Sequence, residues 1–157
     1  MSRRDQIRLS DEEIHDFLRE TKTIILNSVG PDGFPHPMPM WFSADDALVI
    51  SMTTFRKSQK ILNLKRDPRV SLLVESGLEY QELKGVVIYG RAELSEDLDE
   101  IIATLLAAAG QQAPTDDADA QKKMREVMKG TASKRTLIRV KPEKIISWNH
   151  AKLGGVY

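Results

Sequence analysis

Thr23-Ile24-Ile25-Leu26-Asn27-Ser28-Val29-Gly30-Pro31-Asp32-Gly33-Phe34-Pro35-His36-Pro37-Met38-Pro39-Met40-Trp41-Phe42 is the stretch on which the fold turns. Its first seven residues are mostly apolar and rich in β-branched side chains, and they read as a strand. Gly30-Pro31-Asp32-Gly33 follows, and Asp-Gly supplies the positive φ that a hairpin turn requires. The return strand, Phe34 to Phe42, carries Pro35, Pro37 and Pro39 at a spacing of two. Amides two residues apart point to the same side of a strand. Three prolines there leave one edge without donors, so no neighbour can pair fully along it. Two compatible readings follow. One is an edge strand guarded against aggregation; the other is a gap in a sheet where a ligand lies against the backbone.

Upstream, Ser10 and Glu13 have the spacing of a capping box. The pattern predicts a helix over about 11–20 with Ile14, Phe17 and Leu18 on one face and His15 on the exposed side. Downstream, Asp45-Asp46 makes a turn into a third strand, Ala47 to Thr53. Arg56 to Arg66 reads as a short basic helix burying Ile61, Leu62 and Leu64, stopped by Asp67-Pro68. Strands over Val70–Glu75 and Gly85–Leu94 come next. Ser95 then opens a helix over about 96–109, with Leu98, Ile101, Ile102, Leu105 and Leu106 on its apolar side. A polar loop is expected over 111–119. A helix over about 119–129, carrying Met124, Val127 and Met128, is expected to halt at Gly130. Final strands over Arg135–Val140 and Glu143–Trp148 flank a Lys141-Pro142 bend, and the tail from Asn149 shows no regular pattern. Short antiparallel strands with inserted helices argue a closed or split barrel, a mainly β, α+β fold of six to seven strands.

The 157 residues suit one domain spanning the chain. Net charge is zero, which argues against nucleic acid or an anionic membrane as partner, so an anion site must come from local clustering. There is no cysteine, which removes thiolate nucleophiles and cysteine-ligated metals together. No run approaches the roughly 18 apolar residues of a membrane span, and the charged start lacks a signal-peptide pattern, so a cytoplasmic location is expected. His15, His36 and His150 have no metal-ligand spacing, and no metal site is expected. Neither Gly-x-Ser-x-Gly, nor Gly-x-Gly-x-x-Gly, nor a P-loop occurs. Catalysis by a side-chain nucleophile is therefore not expected.

Thr53-Thr54-Phe55-Arg56-Lys57-Ser58-Gln59-Lys60 is the best site candidate. Arg56 to Arg66 holds five basic residues and no acidic one, in a chain otherwise balanced. If the helix begins near Ser58, its free amides and dipole face the same place as the Ser58 hydroxyl and the Lys60 ammonium. That would make a phosphate site. A solvated basic helix face is the other reading of the same run. Trp148 fits core or interface packing, or the cover of a planar aromatic ligand.

Taken in order, these features resemble the pyridoxamine 5′-phosphate oxidase-like, or flavin-reductase-like, split β-barrel superfamily, from Leu9 to Tyr157. The resemblance rests on Gly30-Pro31-Asp32-Gly33-Phe34-Pro35, on Pro37-Met38-Pro39-Met40-Trp41-Phe42 and on the run from Ser58 to Leu72. The strand Gly85-Val86-Val87-Ile88-Tyr89-Gly90-Arg91-Ala92-Glu93 adds to it. The most similar-looking branch is that of F420-dependent or FMN-dependent enzymes, whose Ser-x-Lys-x-x-Asn-Leu matches Ser58 to Leu64. Their tail is like Trp148-Asn149-His150-Ala151-Lys152-Leu153-Gly154-Gly155.

The resemblance implies a homodimer with two F420 or FMN sites at its interface. It implies that Ser58 and Lys60 bind the cofactor phosphate. It also places His36, Met38, Pro39, Met40, Trp41, Ser51, Met52 and Thr53 around the ring, with Lys84 nearby. Trp148 and Lys152 would come from the second subunit. Two departures bear on substrate. Gly85 stands where pyridoxamine phosphate oxidases have a flavin-contacting glutamine, and His150-Ala151-Lys152 replaces their Arg-x-His, so vitamin B6 oxidation is not expected. The expectation is an oxidoreductase moving a hydride to or from a small organic substrate. A non-catalytic flavin, deazaflavin or haem carrier, or a barrel without ligand, are the alternatives. Arg3, Arg4 and Arg8 would serve the anionic tail of F420 if the N-terminus folds over the site.

Overall fold

The computed structural model describes residues 2–111 and 117–155. Its elements run α1 (Arg3–Gln6), α2 (Asp11–Glu20), β1 (Thr23–Val29), β2 (Pro35–Trp41), β3 (Ser43–Ala44), β4 (Ile50–Phe55), α3 (Gln59–Arg66), β5 (Arg69–Ser76), β6 (Lys84–Ser95), α4 (Leu98–Ala108), α5 (Ala118–Ala132) and β7 (Arg135–Asn149). Single 3₁₀ turns lie at Tyr80–Glu82 and His150–Leu153. One seven-stranded sheet has the order β2-β1-β5-β6-β7-β4-β3, and every ladder is antiparallel. The sheet curls until β2 and β4 approach each other across an open seam, giving an α+β split half-barrel.

The proline strand sits where its chemistry allows. β2 is an edge, paired with β1 along its whole length from Thr23–Trp41 to Val29–Pro35. Its donor-free positions therefore face away from β1, toward the seam. Gly33 at φ +85° makes the turn, and Gly30 N–H donates to Phe34 O at 2.8 Å.

Alternation then sorts each strand. Ile24 and Leu26 of β1, Ile50 and Met52 of β4, Leu72 and Val74 of β5, Val86 and Ile88 of β6, and Ile138 and Val140 of β7 fill the interior. The Ser10–Glu13 capping box forms, and α2 adds Ile14, Phe17 and Leu18 to that core. A second cluster lies outside the sheet, where Ile101, Ile102 and Leu106 of α4 and Ala132 of α5 bury Leu137 of β7.

Several boundaries move for local reasons. Asp45 Oδ1 accepts from the amides of Ala47 and Val49, with Leu48 at φ 58°, so β4 begins at Ile50 rather than Ala47. Leu62 is exposed, and Ile61 and Leu64 carry the buried face of α3. Asp97, not Ser95, caps α4, taking the amides of Asp99 and Glu100. Helix α5 runs through Gly130 to Ala132 and leaves Val127 exposed. The expected 111–119 loop falls mostly outside the described residues. The two expected final strands are one, bent at a bulge: Tyr89 faces Lys144 and Gly90 faces Pro142, leaving Glu143 unpaired. A Cβ on Gly90 would lie 2.5 Å from Lys141 O, so the bend needs a glycine there. The N-terminal helix α1 and the 3₁₀ turn after Asn149 had no signal in the apolar periodicity. Both are set by polar caps, Ser2 with Asp5 and Asn149 with the Ala151 amide.

Candidate functional site

The interior face of the sheet turns polar at one end. After Ile50 and Met52, the next inward residue of β4 is Thr54, and its cross-strand partner on β7 is Thr136. After Ile24 and Leu26 of β1 comes Ser28, paired with His36 of β2. Helix α3 lies over this end and brings Lys60 and Asn63, one turn apart, to the same inner side.

Lys60 is only 9% exposed, and its Nζ donates to Thr54 Oγ1 at 2.9 Å. Thr54 Oγ1 is in turn 3.4 Å from Ser58 Oγ. None of the ion pairs formed by the described residues includes Lys60. Burial pushes its ammonium below the ordinary lysine value. A buried cation without a counter-charge is costly and wants an anion.

Ser58 is the N-cap of α3, yet its hydroxyl makes no capping bond, so no side chain closes the helix N-terminus. Free helix amides, a hydroxyl and an ammonium thus lie together, the donor set that holds a phosphate. Thr136 Oγ1, buried beside Thr54, has no partner among the described residues, and neither has His36 Nδ1. Asn63 fixes the position of α3: its Nδ2 donates to Ser28 Oγ at 3.0 Å, and its Oδ1 accepts from Gln59 at 2.9 Å.

On the outer side of the same seam lies a cleft of about 660 Å³ between β2, β4, α4 and α5. Pro39, Met40, Trp41, Thr53 and Thr54 line it, with Phe55, Leu105, Leu106, Val127, Met128 and Arg135. Thr54 belongs both to this cleft and to the Lys60 corner.

Of the residues expected around a cofactor, Ser58 and Lys60 meet at the corner, and Pro39, Met40, Trp41 and Thr53 line the cleft. His36 and Met38 are half-buried on the inner side of β2; Ser51 is half-buried beside Arg139, and Met52 is core. Lys84, Trp148 and Lys152 lie elsewhere. Lys84 and Gly85 pair with Asn149 and Trp148 at the far end of β7. Twelve residue steps along the strand separate Trp148 from Thr136, up to roughly 40 Å. Lys84 Nζ stands 4.4 Å from the Phe17 ring centroid, and Lys152 Nζ bonds Glu13 at 2.6 Å and Arg8 O at 2.8 Å. The Trp148 ring fills the place of a side chain on Gly85, where a Cβ would meet it at 2.1 Å. Arg4 and Arg8 sit at this same end, in a cleft of about 260 Å³ with Lys144, and not over their own chain's Lys60.

Thr54 lies within the segment the sequence pointed to and Asn63 within the Ser-x-Lys-x-x-Asn-Leu match, but neither had a role there, and Thr136 and Arg135 were not singled out. Strand alternation from Ile50 was enough to place Thr54 inward beside Ser58; the other three depend on β7 pairing and on helix docking, which are non-local.

A split barrel with a basic, donor-lined corner at its seam defines the class. The sequence model of the pyridoxamine 5′-phosphate oxidase family matches residues 10–149, and the chain belongs to that family. A conserved hypothetical protein of Mycobacterium tuberculosis is similar over 100% of this chain and 95% of its own, at 34% identity and a TM-score of 0.82. A structure described as an F420 reductase is 23% identical, covering 83% of this chain and 94% of its own, with a TM-score of 0.60. An FAD-binding protein of Mesorhizobium loti is 19% identical, covering 88% and 91%, with a TM-score of 0.56. These last two share the fold. No curated protein matches the chain. No helix among the described residues is long and apolar enough to cross a membrane.

Proposed function

We propose that this chain is an oxidoreductase that binds F420 or FMN between two copies of itself and passes a hydride to or from a small organic substrate. One observation carries the reading: a buried ammonium, Lys60, with no counter-charge among the described residues, held by Thr54 beside the uncapped start of α3. A phosphate group fits there. When bound, the flavin or deazaflavin ring would supply the hydride chemistry.

The chain's own residues bind and orient. Lys60 neutralises phosphate charge, Thr54 aims Lys60, and Ser58 with the first amides of α3 donates to phosphate oxygens. The donor-free edge of β2 leaves a planar ring room beside the backbone, with Pro39, Met40, Trp41 and Thr53 as its walls. Trp148, Lys84 and Lys152 would serve a neighbouring copy, since their own chain's corner lies at the other end of β7. The same holds for Arg4 and Arg8, which in a neighbour would meet the anionic tail of F420. This arrangement and the branch resemblance lean the reading toward F420 over FMN.

Titrating both cofactors into the protein and into Lys60→Ala, in one buffer, tests this. Loss of a charge-assisted bond weakens binding roughly tenfold to hundredfold. Unchanged affinity refutes the assignment. Sedimentation at twice 17.7 kDa is expected for the dimer. Bleaching of the bound cofactor by a reductant, followed by reoxidation on adding an organic acceptor, separates an oxidoreductase from a carrier.

A further inference from the structure

The cleft beside the corner has a chemistry of its own. Its walls are mainly apolar, interrupted by the uncharged Thr53, Thr54, Gln111 and Thr131, and Arg135 is the one charged side chain among its described lining residues. The Arg135 guanidinium lies 4.7 Å from the Phe55 ring, and its Nη1 reaches Thr53 Oγ1 only at 3.4 Å. Its Nε is buried and has no acceptor among the described residues, and Arg135 joins none of their ion pairs. Trp41 and Phe55, both 57% exposed, and Val127, 75% exposed, stand around it as large apolar surface. A planar guanidinium favours a carboxylate, which it can grip with two parallel bonds. The aromatic and aliphatic walls favour a flat apolar body.

We propose that the part of this cleft around Arg135, Phe55 and Val127 binds the substrate, next to the ring walls Pro39, Met40, Trp41 and Thr53, and that the substrate is an apolar, ring-bearing carboxylate whose anionic group pairs with Arg135. The proposal rests on the preceding reading only in taking the occupant as substrate; the recognition by Arg135 stands on the cleft itself. Thr53 and Thr54 separate the two cations, Lys60 inward and Arg135 outward, so a carboxylate on Arg135 lies next to the phosphate corner without competing for it.

The test uses the full chain and two probes of one shape, 2-naphthoate and 2-naphthamide, titrated by calorimetry. Naphthoate is expected to bind at least tenfold more tightly, and Arg135→Gln is expected to abolish that preference. Val127→Glu serves as the second variant, since it sets a carboxylate at an exposed position of the cleft without touching Arg135. It should weaken naphthoate several-fold and spare naphthamide. FMN and F420 titrations should be unchanged in Arg135→Gln.

Equal affinity for the two probes overturns the proposal, as does a preference that survives Arg135→Gln. Failure of both probes to bind, as when a second copy covers the cleft, overturns it too. Loss of cofactor binding in Arg135→Gln assigns the residue to the cofactor and also overturns it. Should neither cofactor bind the wild type while naphthoate still depends on Arg135, the Lys60 reading falls and the recognition of a carboxylate by Arg135 stands.

Discussion

Replacing Gly85 with alanine would place a Cβ 2.1 Å from Trp148 Cζ2 and 2.6 Å from both Cε2 and Cη2. Real side chains do not approach so closely, so the indole must leave its seat against β6. Overpacking of this kind costs about 1–3 kcal/mol. The ring is half-buried and can swing outward, which favours the lower part of that range. In a domain of this size each kcal/mol lowers Tm by about 2–4 °C, so a fall of about 2–12 °C is expected. Fluorescence locates the change. The chain has two tryptophans, and a Trp41→Phe background leaves Trp148 as sole reporter. Gly85→Ala in that background should shift its emission to longer wavelength as the ring meets water. Cofactor affinity should fall with it if Trp148 serves a neighbouring site. An unchanged melt together with unchanged emission would refute the claim that Gly85 exists to seat this ring.

Two further expectations concern stability. Asn63 is fully buried, so Asn63→Ala leaves the buried Ser28 hydroxyl without its donor and should cost about 1–3 kcal/mol by urea denaturation; a loss below about 0.5 kcal/mol contradicts this. Asp67 is held at about 2, chiefly by hydrogen bonds from the Arg69 side chain and then its backbone amide, against an ordinary 3.8. The unfolded chain therefore takes up this proton first as pH falls, and the stabilisation present above pH 4 is lost toward pH 2. Asp67→Asn should flatten stability against pH across that window, and identical slopes would show that the pair contributes nothing.

The parts of the fold that sequence made legible are those written in local chemistry. Proline at 35, 37 and 39 announced an edge, and the Ser10–Glu13 box placed the first turn of α2. The helix expected over Arg56–Arg66 begins only at Gln59, with Ser58 as its N-cap, which is the start on which the phosphate reading depends. Non-local features were harder. The continuity of β7 through Pro142 depends on a bulge opposite Gly90, and nothing near Pro142 encodes the glycine 52 residues away. Likewise the basic run supplied Ser58 and Lys60, but the hydroxyl that Lys60 grips is fixed by packing of α3 on the sheet. Trp148 was legible as a flat apolar residue, and its seat on Gly85 only from the register of β6 with β7.

The most direct measurement compares FMN with riboflavin, which lacks the phosphate, in the wild type and in Lys60→Met. The wild type should prefer FMN by at least tenfold, and in Lys60→Met the two affinities should converge. The apoprotein should lose no stability, because the variant removes a buried ammonium that has no counter-charge among the described residues. An FMN preference that persists in Lys60→Met, or a wild type that binds both equally, would contradict the phosphate corner.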